Sequence, residues 1–124
     1  MKILQGSRLP KPNGHCSTAI VSNRLLFISG QLPIAADGRH YDQADFEQQF
    51  TVVFQNLENI LLASSSSLQK VVKVTAYLSD VKYWNQFNAL FADFIGKHKP
   101  VRTVVAVPEL HLGYKLEVDV IAEV

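Results

Sequence analysis

The stretch L-Q-K-V-V-K-V-T-A-Y-L, residues 68–78, decides the architecture. Val71, Val72, Val74, Thr75 and Tyr77 are β-branched or aromatic and pack better on a pleated surface than on a helix. They predict a central strand. Its period of two places Val72, Val74, Ala76 and Leu78 on one face, and Val71, Lys73, Thr75 and Tyr77 on the other, which is therefore only semi-polar.

On the amino-terminal side, Phe46, Phe50, Val53, Leu57, Ile60 and Leu61 recur at helical spacing and predict an amphipathic helix over 42–64. Asp42 or Asp45 is placed to cap it, and the run Ser64-Ser65-Ser66-Ser67 competes for backbone groups and ends it as a connector. On the carboxy-terminal side, Ser79 or Asp80 precedes a second stripe of Trp84, Phe87, Phe91, Phe94 and Ile95, which Gly96 and Pro100 stop.

Further out, 18–22 and 24–29 read as a hairpin about the Ser22-Asn23 step. Asp37-Gly38 marks a tight turn, with a minor strand expected over 39–41. Residues 1–18, broken by Pro10, Pro12 and Gly14, read as an irregular arm. Two final strands, 102–107 and 114–123, flank Pro108-Glu109-Leu110-His111. Two amphipathic helices cover one face of such a sheet, so the expectation is a two-layer α+β sandwich with both helices on one side of the sheet. Val71, Tyr77, Val104 and Ala106 are assigned to the other face, which predicts self-association through the sheet.

The 124 residues are treated as one domain, 1–124, long enough to bury roughly two-thirds of the unfolded surface. Lys and Arg number 12 against 11 Asp and Glu, which leaves no general electrostatic footprint for nucleic acid or anionic lipid. A solitary Cys16 suits a reducing compartment. No window reaches the roughly 18 apolar residues of a membrane span, and residues 1–16 lack a signal-peptide core. A cytoplasmic protein without a membrane partner is expected.

Chemistry is sought first among charges inside strands, because an unpaired buried ion is costly. Arg102 and Glu117 are such charges. If the last two strands form a hairpin around 108–111, setting Val107 against Leu112 also sets Arg102 against Glu117 on one face; a third strand between them would remove that parity. The pair reads either as a cross-strand ion pair or as a functional couple. In the second case the guanidinium grips a carboxylate in two places and the acid accepts a proton from water. His15, His40, His98 and His111 lack metal-ligand spacing and are expected in solvent, so no metal or other cofactor is implied. Cys16 reads as a passive thiol. Ser29-Gly30-Gln31 either exposes backbone N–H groups to a ligand or simply permits a turn. Phosphate-loop, dinucleotide, serine-hydrolase and zinc-protease motifs are not found.

Leu26-Phe27-Ile28-Ser29-Gly30-Gln31, the segment 71–78, Pro100-Val101-Arg102-Thr103 and Leu116-Glu117-Val118 together resemble the Rid family (RidA, also called YjgF), the reactive intermediate deaminases. The resemblance runs from about Gly14 to the end. It implies a chorismate-mutase-like α+β protomer with a mixed sheet, a homotrimer, and ligand sites in clefts between subunits. It further implies hydrolytic deamination of 2-imino or 2-enamino acids to 2-keto acids and ammonium. Arg102 would hold the substrate carboxylate and Glu117 would attend the attacking water, while Gly30, Asn88, Thr103 and Cys16 would help line the cleft. Gly14-His15-Cys16-Ser17 stands where deaminating members read Gly-Pro-Tyr-Ser, and Thr103-Val104 replaces their Ser-Cys. The competing functions are a carboxylate-binding or regulatory trimer without turnover, and RNA cleavage, against which the near-neutral charge counts.

Overall fold

The hairpin turns on Asn23 and Arg24, both at positive φ (51° and 62°), which gives the left-handed two-residue turn that matches strand twist. Arg24 is therefore a turn residue rather than the first residue of a strand. The strands it joins are β2 (Ala19–Ser22) and β3 (Leu25–Gln31), with Ser22 set against Leu25. The computed structural model describes residues 1–6 and 8–124. Within them the amino-terminal arm is more regular than its prolines suggest. Lys2–Leu4 forms β1 and pairs antiparallel with β2, well before Pro10 interrupts the backbone. The strand expected over 39–41 shrinks to a single bridge between Ile34 and His40, although Asp37 does close its turn by accepting from the Arg39 N–H at 2.9 Å.

Helix α1 (Phe46–Ala63) is capped by Asp45, whose Oδ1 accepts from the Gln48 N–H at 2.9 Å; Asp42 lies in the turn before it. The serine run ends it as expected. Ser64 is the C-cap, and Ser66 Oγ donates to the Glu123 carbonyl at 2.6 Å. Asp80 caps a single 3₁₀ turn, Val81–Tyr83, that runs into α2 (Trp84–Ile95). Helix α2 stops at Gly96, whose φ of 74° disfavours any side chain. Phe50, Phe54, Phe87 and Phe91 interlock between the two helices, with Phe50 and Phe54 stacked at 4.1 Å and Phe54 edge-on to Phe91 at 5.9 Å.

Strands β4 (Val71–Leu78), β5 (Val101–Ala106) and β6 (Leu116–Glu123) complete a six-stranded mixed sheet in the order β1-β2-β3-β6-β4-β5. Both helices pack on one face, so the α+β two-layer fold is as expected. The last two strands do not form a hairpin. Strand β5 pairs in parallel with β4, while β6 runs antiparallel between β3 and β4. A parallel partner needs a crossover, and α2 supplies it, leaving β5 as an edge strand.

A bulge also changes which residues face outward. Val71 opposes Ala122 and Lys73 opposes Ile121, so Val72 is the extra residue and points out at 41% exposure while Val71 is buried. Val104 and Ala106 stand opposite the buried Ala76 and Leu78, hence on the helix face. Lys73, Thr75 and Tyr77 are on the open face as assigned, whereas Val71, Val104 and Ala106 are not. That face is instead apolar through Ile3, Ile20, Phe27, Ile121 and Val101, which fall into one row across the sheet with Lys73 between the last two.

Gln49, fully buried on α1, ties these parts together. Its Nε2 donates to the Ala44 carbonyl at 3.2 Å, and its Oε1 accepts from the Lys115 N–H at 2.9 Å, at the start of β6. Substituting Gln49→Leu leaves the Lys115 N–H without its acceptor, while the Ala44 carbonyl keeps Lys115 Nζ at 3.1 Å, an expected loss of about 2 kcal/mol on the usual scale for an unsatisfied buried polar group. Thermal denaturation checks it: the midpoint should fall by several degrees, and an unchanged midpoint contradicts the bridging role.

Candidate functional site

Arg102 lies in β5 opposite Val74, which in turn lies opposite Val120, so its side chain leaves the sheet on the helix face. There the guanidinium rests against α2. Its central carbon is 5.6 Å from the Trp84 ring centroid, 5.7 Å from Phe87 and 5.1 Å from Phe91. Among the described residues no acidic side chain pairs with it. Beside it opens a cleft of about 240 Å³ walled by Asn88, Phe91, Ala92, Ile95, Lys99 and Arg102. Asn88 is on the outer side of α2, one turn after Trp84, and lines this cleft.

Glu117 is elsewhere. It stands opposite Tyr77 on the open face, three residues along β6 from the level of Arg102 and two strands away. Strand spacing and rise put the two backbones roughly 14 Å apart, with side chains leaving opposite faces. The cross-strand alignment expected from a hairpin is thus overturned by the insertion of β4. Within one chain, Arg102 and Glu117 form neither an ion pair nor a shared pocket.

Glu117 has its own setting. Strand β3 bulges after Ile28, so that Gly30 comes under the Glu117 carboxylate, and a Cβ at Gly30 would lie 2.6 Å from Oε2. Glycine here leaves space for the Glu117 side chain in this position and is not called for by a left-handed backbone. Half-buried, Glu117 has its pKa raised first by desolvation and second by Asp119, with His111 opposing. Asp119, two residues on and on the same face, is raised by burial and held back by Lys73. Next to the bulge, Ser29 Oγ donates to the Ser17 carbonyl at 2.7 Å, and an open hollow of about 340 Å³ is lined by Cys16, Ser17, Phe27 and Ser29. Cys16 is exposed there. Thr103, exposed on the open face at the β5 edge, opposes Thr75 and lies in the row of Asp119.

The residues picked out from the sequence therefore fall into two groups. Arg102 and Asn88 share a cleft at the β5 edge, while Gly30, Glu117 and Cys16 gather around the β3 bulge. Thr103 belongs to the open face, away from the cleft beside its neighbour. Sequence reasoning missed the aromatic setting of Arg102, because Trp84, Phe87 and Phe91 read simply as a core stripe. Their recurrence on the helix that delivers the chain to Arg102 was the available signal. It also missed Asp119 and His111 as electrostatic neighbours of Glu117, although a residue two positions along a strand shares its face.

His98 departs from the expected exposure, and His40, exposed as expected, still has a side-chain partner. His98 is half-buried and donates from Nε2 to the Val71 carbonyl at 2.6 Å, tying the α2–β5 connection to the β4 bulge. His40 is exposed but its Nδ1 lies 2.5 Å from the Tyr114 hydroxyl. That hydroxyl belongs to a buried ring whose pKa is raised first by desolvation and then by Asp42. His15 and His111 are exposed as expected. No group of three or more His, Cys, Asp or Glu among the described residues could hold a metal ion.

Known proteins share this design. The yeast protein HMF1 (Saccharomyces cerevisiae) is 42% identical over 108 residues, covering 86% of this chain and 81% of its own. The structure of RidA from an Antarctic Psychrobacter superposes with a TM-score of 0.93 at 27% identity over the whole of both chains. That of Escherichia coli TdcF with bound serine gives 0.91 at 26% identity, covering 100% of this chain and 99% of its own. The family model described as Endoribonuclease L-PSP matches residues 6–124, which is nearly the entire sequence. On these matches, and on a fold and residue pattern that agree with them, the chain belongs to that family, the RidA/YjgF group that its sequence resembles.

Proposed function

We propose that this protein is a cofactor-independent deaminase of reactive 2-imino and 2-enamino acids, working as a homotrimer in the cytoplasm. The observation that carries the proposal is the Arg102 guanidinium, held against three aromatic rings, free of any acidic partner among the described residues and open to a cleft. Such a group is prepared for a small carboxylate. Serine, the ligand in the related TdcF structure, carries a carboxylate of this kind.

The second half of the chemistry is Glu117 over Gly30. One protomer keeps the two halves apart, and the apolar open face and the unpaired β5 edge favour contact with another copy. The proposed assembly therefore brings the Arg102 cleft of one protomer against the Gly30–Glu117 surface of the next, with Thr103 and Cys16 along the seam. In the joined site Arg102 and Asn88 orient the substrate. Glu117 accepts a proton from water as its oxygen attacks the C=N carbon, and the imine nitrogen takes up a proton. Collapse of the resulting carbinolamine forms the C=O bond and expels ammonia. Imines already hydrolyse in water, so positioning and modest proton transfer suffice. The family description points to RNA cleavage, but a net charge of +1 and a cleft of about 240 Å³ whose only lysine and arginine are Lys99 and Arg102 give no extended track for a polyanion.

Supplying 2-aminoacrylate from a pyridoxal-phosphate-dependent dehydratase and following pyruvate tests this directly. Arg102→Ala should lower kcat/KM roughly 10- to 150-fold, the loss expected for a hydrogen bond to a charged group. Equal pyruvate release with wild type, Arg102→Ala, Glu117→Ala and buffer rejects deamination. Saturable keto-acid binding that Arg102→Ala abolishes, without any acceleration, would establish the non-catalytic carboxylate binder instead.

Gly30→Ala should leave the thermal midpoint nearly unchanged, since Glu117 can swing aside. It should still reduce kcat by about 10-fold or more, because small displacements of a reacting group are costly. Full activity in a well-folded Gly30→Ala protein would show that the carboxylate position is immaterial.

The raised Glu117 pKa also fixes a direction. A base that is protonated at higher pH than usual loses activity at higher pH on acidification, so the acid limb of the kcat/KM profile should lie above the ordinary carboxylate range. Asp119→Asn removes a charge that raises it and should move the limb to lower pH. His111→Gln removes a charge that lowers it and should move the limb up. A limb that ignores both substitutions would assign the titration to another group.

A further inference from the structure

Trp84 sits at the first position of α2 and remains 39% exposed, although large aromatic rings usually sink into the core. Phe87, one turn on, is fully buried, and Phe91 nearly so. The three rings, at positions that line one side of the helix, converge on a single atom of another element, the guanidinium carbon of Arg102, at 5.1 to 5.7 Å. Arg102 itself is on an edge strand, where a long side chain has no neighbouring strand to hold it. A free arginine there would sample many rotamers and lose that freedom on gripping a ligand. Against ring faces the cation is held by their negative quadrupole while its N–H groups stay available at the rim.

We infer that Trp84 is a positioning residue for Arg102, the outer and adjustable wall of an aromatic cradle that sets the guanidinium for carboxylate capture. The inference rests on the carboxylate-binding role of Arg102 proposed above and goes beyond it in assigning the part of α2. Phe87 and Phe91 are also core residues, so their removal would disturb the fold. Trp84 is half in solvent, so its substitution isolates the cradle. It is also the single tryptophan of the chain, which makes its fluorescence a site-specific reporter.

Three measurements on the full chain test the inference. In the ligand-free protein, Arg102→Gln should shift or brighten Trp84 emission; spectra identical to wild type would show that no contact exists and overturn the cradle. Calorimetric titration with 2-oxobutanoate should give a Kd weakened on the order of 5- to 10-fold in Trp84→Leu and close to wild type in Trp84→Phe, in keeping with the strength of a cation–π contact. Under turnover, Trp84→Leu should raise KM while leaving kcat and the thermal midpoint largely unchanged. Unaltered affinity in Trp84→Leu, with 2-oxobutanoate still binding wild type, would overturn the positioning role and leave the deaminase proposal standing. Failure of wild type to bind 2-oxobutanoate at all would remove the carboxylate site and, with it, this inference.

Discussion

The parallel pairing of β5 on β4 is the constraint on which the rest of this molecule depends. A parallel neighbour cannot be reached by a tight turn, so the chain must travel back along the sheet, and α2 is that return path. Three consequences follow from the one pairing. It places the aromatic face of α2 over the helix side of β5, it makes β5 an edge, and it drives β4 between the two strands that carry Arg102 and Glu117. The guanidinium is delivered to an aromatic surface for the same reason that it is separated from the acid.

That separation bears directly on the proposed function. Arg102 and Glu117 leave opposite faces of the sheet, and no side-chain motion in one chain joins them. Each is nevertheless prepared locally. Arg102 is steadied by rings, and Glu117 is seated over a glycine that leaves room for its carboxylate and is partly desolvated so that it holds its proton more tightly. The open face between them presents Phe27 and Val101 to solvent at 41% and 64% exposure, a surface that self-association would cover. Under the proposed function, these two groups and the apolar face between them would tie the chemistry to assembly.

Polar groups inside the fold serve this arrangement. Gln49 pins the start of β6 two residues before Glu117, Asn56 Nδ2 donates to the Ile34 carbonyl at 2.8 Å, and His98 anchors the approach to β5 on the β4 bulge. No buried side-chain nitrogen or oxygen among the described residues is left without a partner. Loops around the candidate site are thus held by side chain to backbone bonds rather than by extra secondary structure.

Periodicity alone determined the two helices, the hairpin, the central strand and the α+β class, because apolar spacing at 3.6 and at 2 is a local property that each segment carries with it. Resemblance in four short segments was enough to name the family. Strand order was not legible, since pairing partners are chosen by packing between segments distant in the chain. With it went the faces of Val104 and Ala106 and the relation of Arg102 to Glu117. The extra residue at Val72 was hidden too, because a bulge reverses every inside–outside assignment on one side of it without altering composition. The residues of the candidate site could be picked out one by one, but only the tertiary structure decided which of them meet, because proximity across a sheet depends on the strands that lie between.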